Sequence, residues 1–273
     1  MTTTATTPDL SAVKVRQQRT WASGDFSVVA GRIVLVSERL AEAADLRAGW
    51  RVLDVACGNG NAAIAAARSG TSVVGLDYVP ELLANGRVRV AAEGLDVELR
   101  EGDAENLPVD DGSFDAVLSV FGSMFAPNQQ RAADELVRAA RPGGTIALAS
   151  WTPDGFIGDL FRATAAHVSP PPGLASPMEW GREERLRELF GDAIASIRSV
   201  EQVNTFRYRS AEEFVEFFRR WYGPTLKAFA ALEGEARNAL QDDLVALATR
   251  YDRLGSDAIA IPATYTEAVA VVR

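Results

Sequence analysis

Between positions 50 and 151 short apolar runs alternate with stretches of helical periodicity. Val52, Leu53 and Val55 make a short apolar run that ends in a turn at Gly58 and Gly60, and a helix follows through residue 68 until Gly70 stops it. Residues 72–77 read as a second strand, and Pro80 opens a helix to Glu93 at the first-turn position that suits proline. Residues 97–100 and 114–121 are a third and a fourth strand. A helix over 129–140 places Ala133, Leu136, Val137 and Ala140 on one face, and Pro142-Gly-Gly144 turns the chain into a fifth strand, 145–151. Most of these strands are near-continuous apolar runs. That pattern predicts a parallel sheet covered by helices on both sides and joined by right-handed crossovers.

The flanks carry other patterns. Residues 9–20 form a polar helix, and Trp21 to Phe26 is a turn holding two aromatic rings. The spacing of Val29, Ile33, Val36, Leu40 and Ala44 predicts one helix over 27–45. Beyond 151, helices are expected over 157–168, 182–190 and 235–252, with a long strand over 194–209 and a last strand over 261–272. Ser210-Ala-Glu-Glu213 is a capping box opening a helix with Phe214, Phe217, Phe218 and Trp221 on one face, which Gly223-Pro224 ends. The expected organisation is a disordered tail (1–8), a helical arm or lid (9–45) and one α/β domain (46–273). Helical insertions fall at about 152–190 and 210–258.

Composition narrows the chemistry. The chain has 273 residues, 47% of them hydrophobic, and a formal net charge of −9. That balance argues against nucleic acid and anionic membranes as partners. The single cysteine, Cys57, excludes an intramolecular disulfide and a cysteine-rich metal site, and no metal is expected. With neither a long apolar run nor a basic leader, a cytoplasmic location is expected. The pattern is silent on oligomeric state.

Candidate functional residues fall at the carboxyl ends of successive strands, where open α/β sheets bind ligands. They are Asp54 with Gly58 and Gly60, then Asp77, then Asp103-Ala104-Glu105, then Ser119 to Phe121. Gly58-x-Gly60-x-x-Ala63 matches the dinucleotide pattern. A pyrophosphate there would lie close above Asp54, and no basic residue lies within 52–67 to offset that charge. An acid beneath a glycine turn suits a cationic ligand better, and S-adenosylmethionine (SAM) carries an ammonium and a sulfonium without a phosphate.

The same residues resemble a family. Val-Leu-Asp54-Val-Ala-Cys-Gly58-Asn-Gly60 is similar to the glycine motif of class I SAM-dependent methyltransferases. Val74-Gly-Leu-Asp77-Tyr-Val-Pro-Glu81, Gly102-Asp103-Ala-Glu-Asn-Leu-Pro108, Ser113-Phe-Asp-Ala-Val117 and Arg138-Ala-Ala-Arg-Pro-Gly-Gly144 resemble their later motifs. The likeness covers about 45–152 and is nearest to the type-11 small-molecule branch, which includes quinone C-methyltransferase-like proteins. Ala56 departs from it, standing where many members have glycine. The resemblance implies a Rossmann-like, seven-stranded, mostly parallel sheet in the order 3-2-1-4-5-7-6. It implies that Asp54 and the backbone of Ala56 to Gly60 hold the methionine part, and that Asp77 grips the ribose with Tyr78 beside the adenine. Asp103 and Ala104 would meet the adenine edge, and Ser119 and Phe121 would line the methyl-donor end.

The acceptor is less determined. Ser119-Val-Phe-Gly122 is not the Asn/Asp-Pro-Pro-aromatic signature of enzymes that methylate exocyclic amines, and one cysteine excludes multi-cysteine metalloid methylation. A small, apolar or aromatic acceptor remains, its reacting atom (O, C, N or S) undetermined. His167, the sole histidine, is a candidate base by residue type, with Tyr222 a second candidate for the catalytic role. Trp21, Trp151, Arg219 and Trp221 are candidates for the acceptor pocket. A SAM-binding protein without transfer activity and an NAD-dependent oxidoreductase are the alternatives.

Overall fold

The computed structural model describes residues 8–273; the tail expected over 1–8 lies outside them except for Pro8. Helices α1 (Leu10–Trp21), α2 (Phe26–Ala30) and α3 (Val34–Ala43) form the arm. The Asp9 carboxylate caps α1 by accepting from the Ser11 and Ala12 N–H groups. The helix expected over 27–45 is divided in two. Gly31, a poor helix former, closes α2, and Ile33 leaves the helical region at φ −126°. Val29 and Ile33 both stay buried, so the apolar spacing survives the break.

Strand–helix units follow: β1 (Arg51–Val55), α4 (Asn61–Arg68), β2 (Ser72–Asp77), α5 (Pro80–Glu93), β3 (Val97–Glu101), β4 (Phe114–Val120), α6 (Gln129–Ala139) and β5 (Ala140–Trp151). The second half comprises α7 (Phe156–His167), α8 (Glu183–Phe190), β6 (Ile194–Tyr208), α9 (Ala211–Trp221), α10 (Gly223–Ala230), α11 (Gly234–Tyr251) and β7 (Ile259–Val272). The strands form one sheet in the order β3-β2-β1-β4-β5-β7-β6, with β7 antiparallel to both neighbours, as the resemblance implies. The strand order reverses between β1 and β4, which opens a crevice at their carboxyl ends. Small side chains let α4 sit tightly between the sheet and α3, and Asn61 through Ala67 are all buried.

Two turns expected from glycine and proline differ in detail. Pro142-Gly-Gly144 lies inside β5, as an irregularity where the β4 register shifts between Phe114 and Ala116. Gly143 takes φ +71°, and a Cβ on Gly144 would stand 2.8 Å from the Arg141 carbonyl oxygen. Gly223-Pro224 not only ends α9 but starts α10, with proline in the first turn, so Tyr222 is the joint of the two helices. The turn between α1 and α2 docks on that joint. The Asp25 N–H donates to the Trp221 carbonyl oxygen at 3.2 Å. A Cβ on Gly24 would meet that oxygen at 2.5 Å, and one on Gly223 would meet the Thr20 carbonyl oxygen at 2.0 Å. Only glycine permits backbones so close. No helix among the described residues is long and apolar enough to cross a membrane.

Candidate active site

Asp54 ends β1 beneath the glycine turn. It is buried, and one carboxylate oxygen accepts the Ala63 N–H at 2.8 Å. Burial, partly offset by that bond and reinforced by Asp77, pushes its carboxyl up to about 8. Asp77 ends β2, also buried, and accepts from the N–H groups of Gly58 (2.8 Å) and Val79 (2.9 Å). Burial raises it to about 6 against those bonds. Neither acid pairs with a protein cation among the described residues, which is costly for buried carboxylates and suits a cationic ligand. Cys57 lies between them. Burial and the two acids push its thiol well up, so it is an inert packing residue.

The turns after β1 and β4 are fitted against one another. Ala56 and Phe121 are non-glycine residues in the left-handed region, at φ +54° and +51°. A Cβ on Gly122 would stand 2.7 Å from the Ala56 Cβ and 2.8 Å from its carbonyl oxygen. The Ser119 hydroxyl donates to the Val55 carbonyl oxygen and accepts from the Ser123 N–H, so it ties the two turns together. It is spent on this structural work, and Phe121 rather than Ser119 reaches the chamber above.

That chamber runs from Asp54 and Asp77 past Tyr78 to Asp103, Ala104 and Glu105. The arm covers it. Phe26 lies over Gly58, and Asn61 at the start of α4 donates to the Ala30 carbonyl oxygen. On α1, Gln18 donates to the Tyr78 carbonyl oxygen and Gln17 to that of Phe125. Lys14 reaches both Asp103 and Glu105 at 2.7 Å. Burial disfavours its charge, but the bonds to the two carboxylates win and hold the ammonium above its usual range. The sequence pattern did not single out Lys14. Its one signal is that the chain has only two lysines.

An aromatic pocket adjoins the chamber. Phe121 stacks on Trp151 at 3.7 Å, with the rings 3° from parallel. Trp21 meets Phe26, Phe125 and Tyr222 edge-on at 5.1–5.7 Å. Phe206 and Phe218 complete the walls, and no carboxylate, lysine, arginine or histidine lines them. Tyr222 is buried, and burial raises its hydroxyl well above the usual range. Trp21, Trp151 and Tyr222 thus come together here.

The remaining candidates stand elsewhere. His167, at the end of α7, pairs with Asp243 of α11 at 2.7 Å and borders neither the chamber nor the aromatic pocket. Arg219 lies over the Phe229 ring and Trp221 beneath Arg220. Arg219 lies on the exposed side of α9; Trp221 shares the face of Phe214 and is partly buried against the core, yet neither borders the chamber or the aromatic pocket. Trp221 contributes to the site only through its carbonyl. No group of three or more His, Cys, Asp or Glu able to hold a metal occurs among the described residues.

Comparisons with known proteins give the family and the fold. A family described as a methyltransferase domain matches residues 52–144. An uncharacterized protein of Mycobacterium tuberculosis, Rv1405c, is 39% identical over 241 residues, covering 85% of this chain and 86% of its own. The demethylmenaquinone methyltransferase of Thermus thermophilus is 35% identical over 161 residues, 53% of this chain and 73% of its own. An N-methyltransferase of Haemonchus contortus, solved with phosphomonomethylethanolamine and S-adenosylhomocysteine, shares the fold with a TM-score of 0.53 at 19% identity. It covers 83% of this chain and 49% of that one.

Proposed function

Given that the chain belongs to the class I SAM-dependent methyltransferases and is similar to their quinone C-methyltransferases, we propose that it methylates a small acceptor held in the aromatic pocket, with SAM in the chamber beside it. The observation that carries this reading is the pair of buried acids, Asp54 and Asp77. They flank a glycine turn without a protein counter-cation and open toward a pocket walled by rings. SAM is the cofactor of this fold, and the donor set fits it: acids for an ammonium and for ribose hydroxyls, and no basic residue within the glycine-turn stretch 52–67 for a phosphate.

In this reading Asp54 and the backbone from Ala56 to Gly60 hold the amino-acid end. Asp77 keeps lone pairs for the ribose while its backbone bonds fix its rotamer. Tyr78, Ala104 and Asp103 border the adenine, with Lys14 closing that end. SAM held there would supply an electrophilic methyl on a sulfonium, to which a nucleophilic atom of the acceptor would bond in line as the sulfur–methyl bond breaks and S-adenosylhomocysteine leaves. The chain supplies alignment and exclusion of water, and proximity of this kind is worth ~7–11 kcal/mol. Phe121 and Trp151 form a flat wall for the acceptor, and the arm shuts the site. Tyr222 keeps its proton at neutral pH because burial raises it, so it donates a hydrogen bond to the acceptor rather than taking a proton. No other ionisable group lines that pocket, so the acceptor must arrive with a nucleophilic atom already available.

The test is release of S-adenosylhomocysteine from SAM across a panel of phenols, hydroquinones, thiols and amines. Release with at least one aromatic acceptor, lost in Asp54→Ala, is expected. Tight SAM binding without release from any acceptor would contradict transfer.

A further inference from the structure

Ser37, in the arm helix α3, carries a hydroxyl without a task. The residue is 1% exposed and borders the cofactor chamber, and its Oγ has no hydrogen-bond partner among the described residues. A serine inside a helix can donate back to the carbonyl oxygen four residues earlier, here that of Ile33, and Ser37 does not. Buried polar groups are hydrogen-bonded as a rule, so a free one at the edge of a ligand chamber points to the ligand.

The surroundings say what that ligand group is. Helix α3 packs against α4, β4 and β5, whereas Asp103 follows β3 on the other side of the sheet's switch point. Ser37 therefore stands at the end of the chamber away from Asp103 and Lys14. Its neighbour there is the start of α4. The Asn61 amide donates to the Ala30 carbonyl oxygen and so ties the arm to that helix start. Of the first N–H groups of α4, that of Ala63 is taken by Asp54 and that of Ile64 by the Gly60 carbonyl oxygen. Those of Asn61 and Ala62 have no acceptor among the described residues, and both residues border the chamber. An unfilled helix start and a free hydroxyl are donors for an anion. No cation is present to do that work. Lys14, the one cation bordering the chamber, is held by Asp103 and Glu105, and Arg89 is spent on the Asn59 carbonyl oxygen and the Asn61 Oδ1 without bordering it.

We propose that Ser37, with the N–H groups of Asn61 and Ala62, binds the carboxylate of the cofactor's amino-acid end and sets the chain's selectivity for it. This rests on the reading that SAM lies in the chamber. Asp54 and Asp77 alone would favour the ligand of higher positive charge, which is the decarboxylated sulfonium. Neutral donors aimed at a carboxylate reverse that preference, and they do so without a cation that would compete for the two acids.

The experiment is calorimetric titration of the full chain with two probes. One is S-adenosylhomocysteine. The other is S-adenosyl-3-thiopropylamine, which keeps the amine and lacks the carboxylate. The natural protein is expected to bind S-adenosylhomocysteine the more tightly. Ser37→Ala is expected to weaken S-adenosylhomocysteine about 10- to 100-fold, the loss of one hydrogen bond to a charged group, and to leave the decarboxylated probe within about twofold. The ligand-free variant should melt no lower than the natural protein, because the lost hydroxyl has no partner there. Ser37→Cys, of similar size with a weaker donor, gives the same ranking if Ser37→Ala does not fold. Equal weakening of both probes, or of neither, overturns the proposal, as does tighter binding of the decarboxylated probe by the natural protein. Failure of both probes to bind the natural protein overturns instead the reading of the chamber as a SAM site.

Discussion

Replacing Asp54 with Asn removes a carboxylate that burial has pushed from 3.8 up to about 8. In the ligand-free protein that acid is mostly protonated at neutral pH, whereas a cationic ligand requires it ionised. At pH 6 about 1% of such an acid is charged, and at pH 7.5 about 24%, so its charged form becomes about 24-fold more available, or ~1.9 kcal/mol. SAM affinity measured by calorimetry is therefore expected to rise about 20-fold from pH 6 to pH 7.5. Binding at pH 7 should release close to one proton, read from the buffer dependence of the binding heat. Asp54→Asn keeps a neutral group of the same size. It should weaken binding at pH 7.5 about 10- to 100-fold, through loss of a charged hydrogen bond of ~1.5–3 kcal/mol. Its pH profile should be nearly flat, so the two proteins converge near pH 6. The ligand-free protein has the opposite trend. Its folded state holds a proton that the unfolded chain has released above pH 3.8, so stability falls as pH climbs toward about 8. That fall should lessen in Asp54→Asn. Affinity independent of pH in the natural protein, or the same slope in the variant, would refute the assignment of Asp54 to the cationic end.

Three further substitutions separate roles. Tyr222→Phe should leave SAM affinity unchanged, since Tyr222 does not border the cofactor chamber. It should lower the transfer rate about 3- to 10-fold, for one lost hydrogen bond of ~0.5–1.5 kcal/mol. Gly122→Ala forces a Cβ to within 2.8 Å of the Ala56 carbonyl oxygen, so chemical denaturation should show a loss of about 1–3 kcal/mol, with weaker SAM binding. His167→Ala should keep transfer within about twofold, because its partner is Asp243 on the outer helices and a surface pair is worth ~0–1 kcal/mol. A large loss in kcat there would restore the histidine as a base.

The sheet was legible because its signal is local. Mostly apolar runs, each closed by glycine, proline or a terminal acid, left few choices of element, and the family resemblance of 51–144 implied the strand order. The chamber's acids were legible for the same reason, since a strand end positions its next side chain without help from distant parts. The arm's contribution was not. Lys14 reaches Asp103 across 89 positions of sequence, and Gln18 reaches Tyr78 across 60, by contacts that no periodicity encodes. Helical spacing identified the aromatic, core-facing side of α9 but not which part of it reaches the pocket, so Arg219 and Trp221 were grouped with Tyr222 although they lie off the pocket. Ser119 was expected at the methyl-donor end, yet its hydroxyl holds two turns together and Phe121 borders the chamber instead.

The most direct test of the account is a crystal structure with S-adenosylhomocysteine. The amino group is expected beside Asp54, the ribose hydroxyls on Asp77, the adenine between Tyr78 and Asp103, and the sulfur facing the Phe121–Trp151 wall. A sulfur directed away from the aromatic pocket, or a ligand that leaves Asp54 and Asp77 untouched, would contradict it.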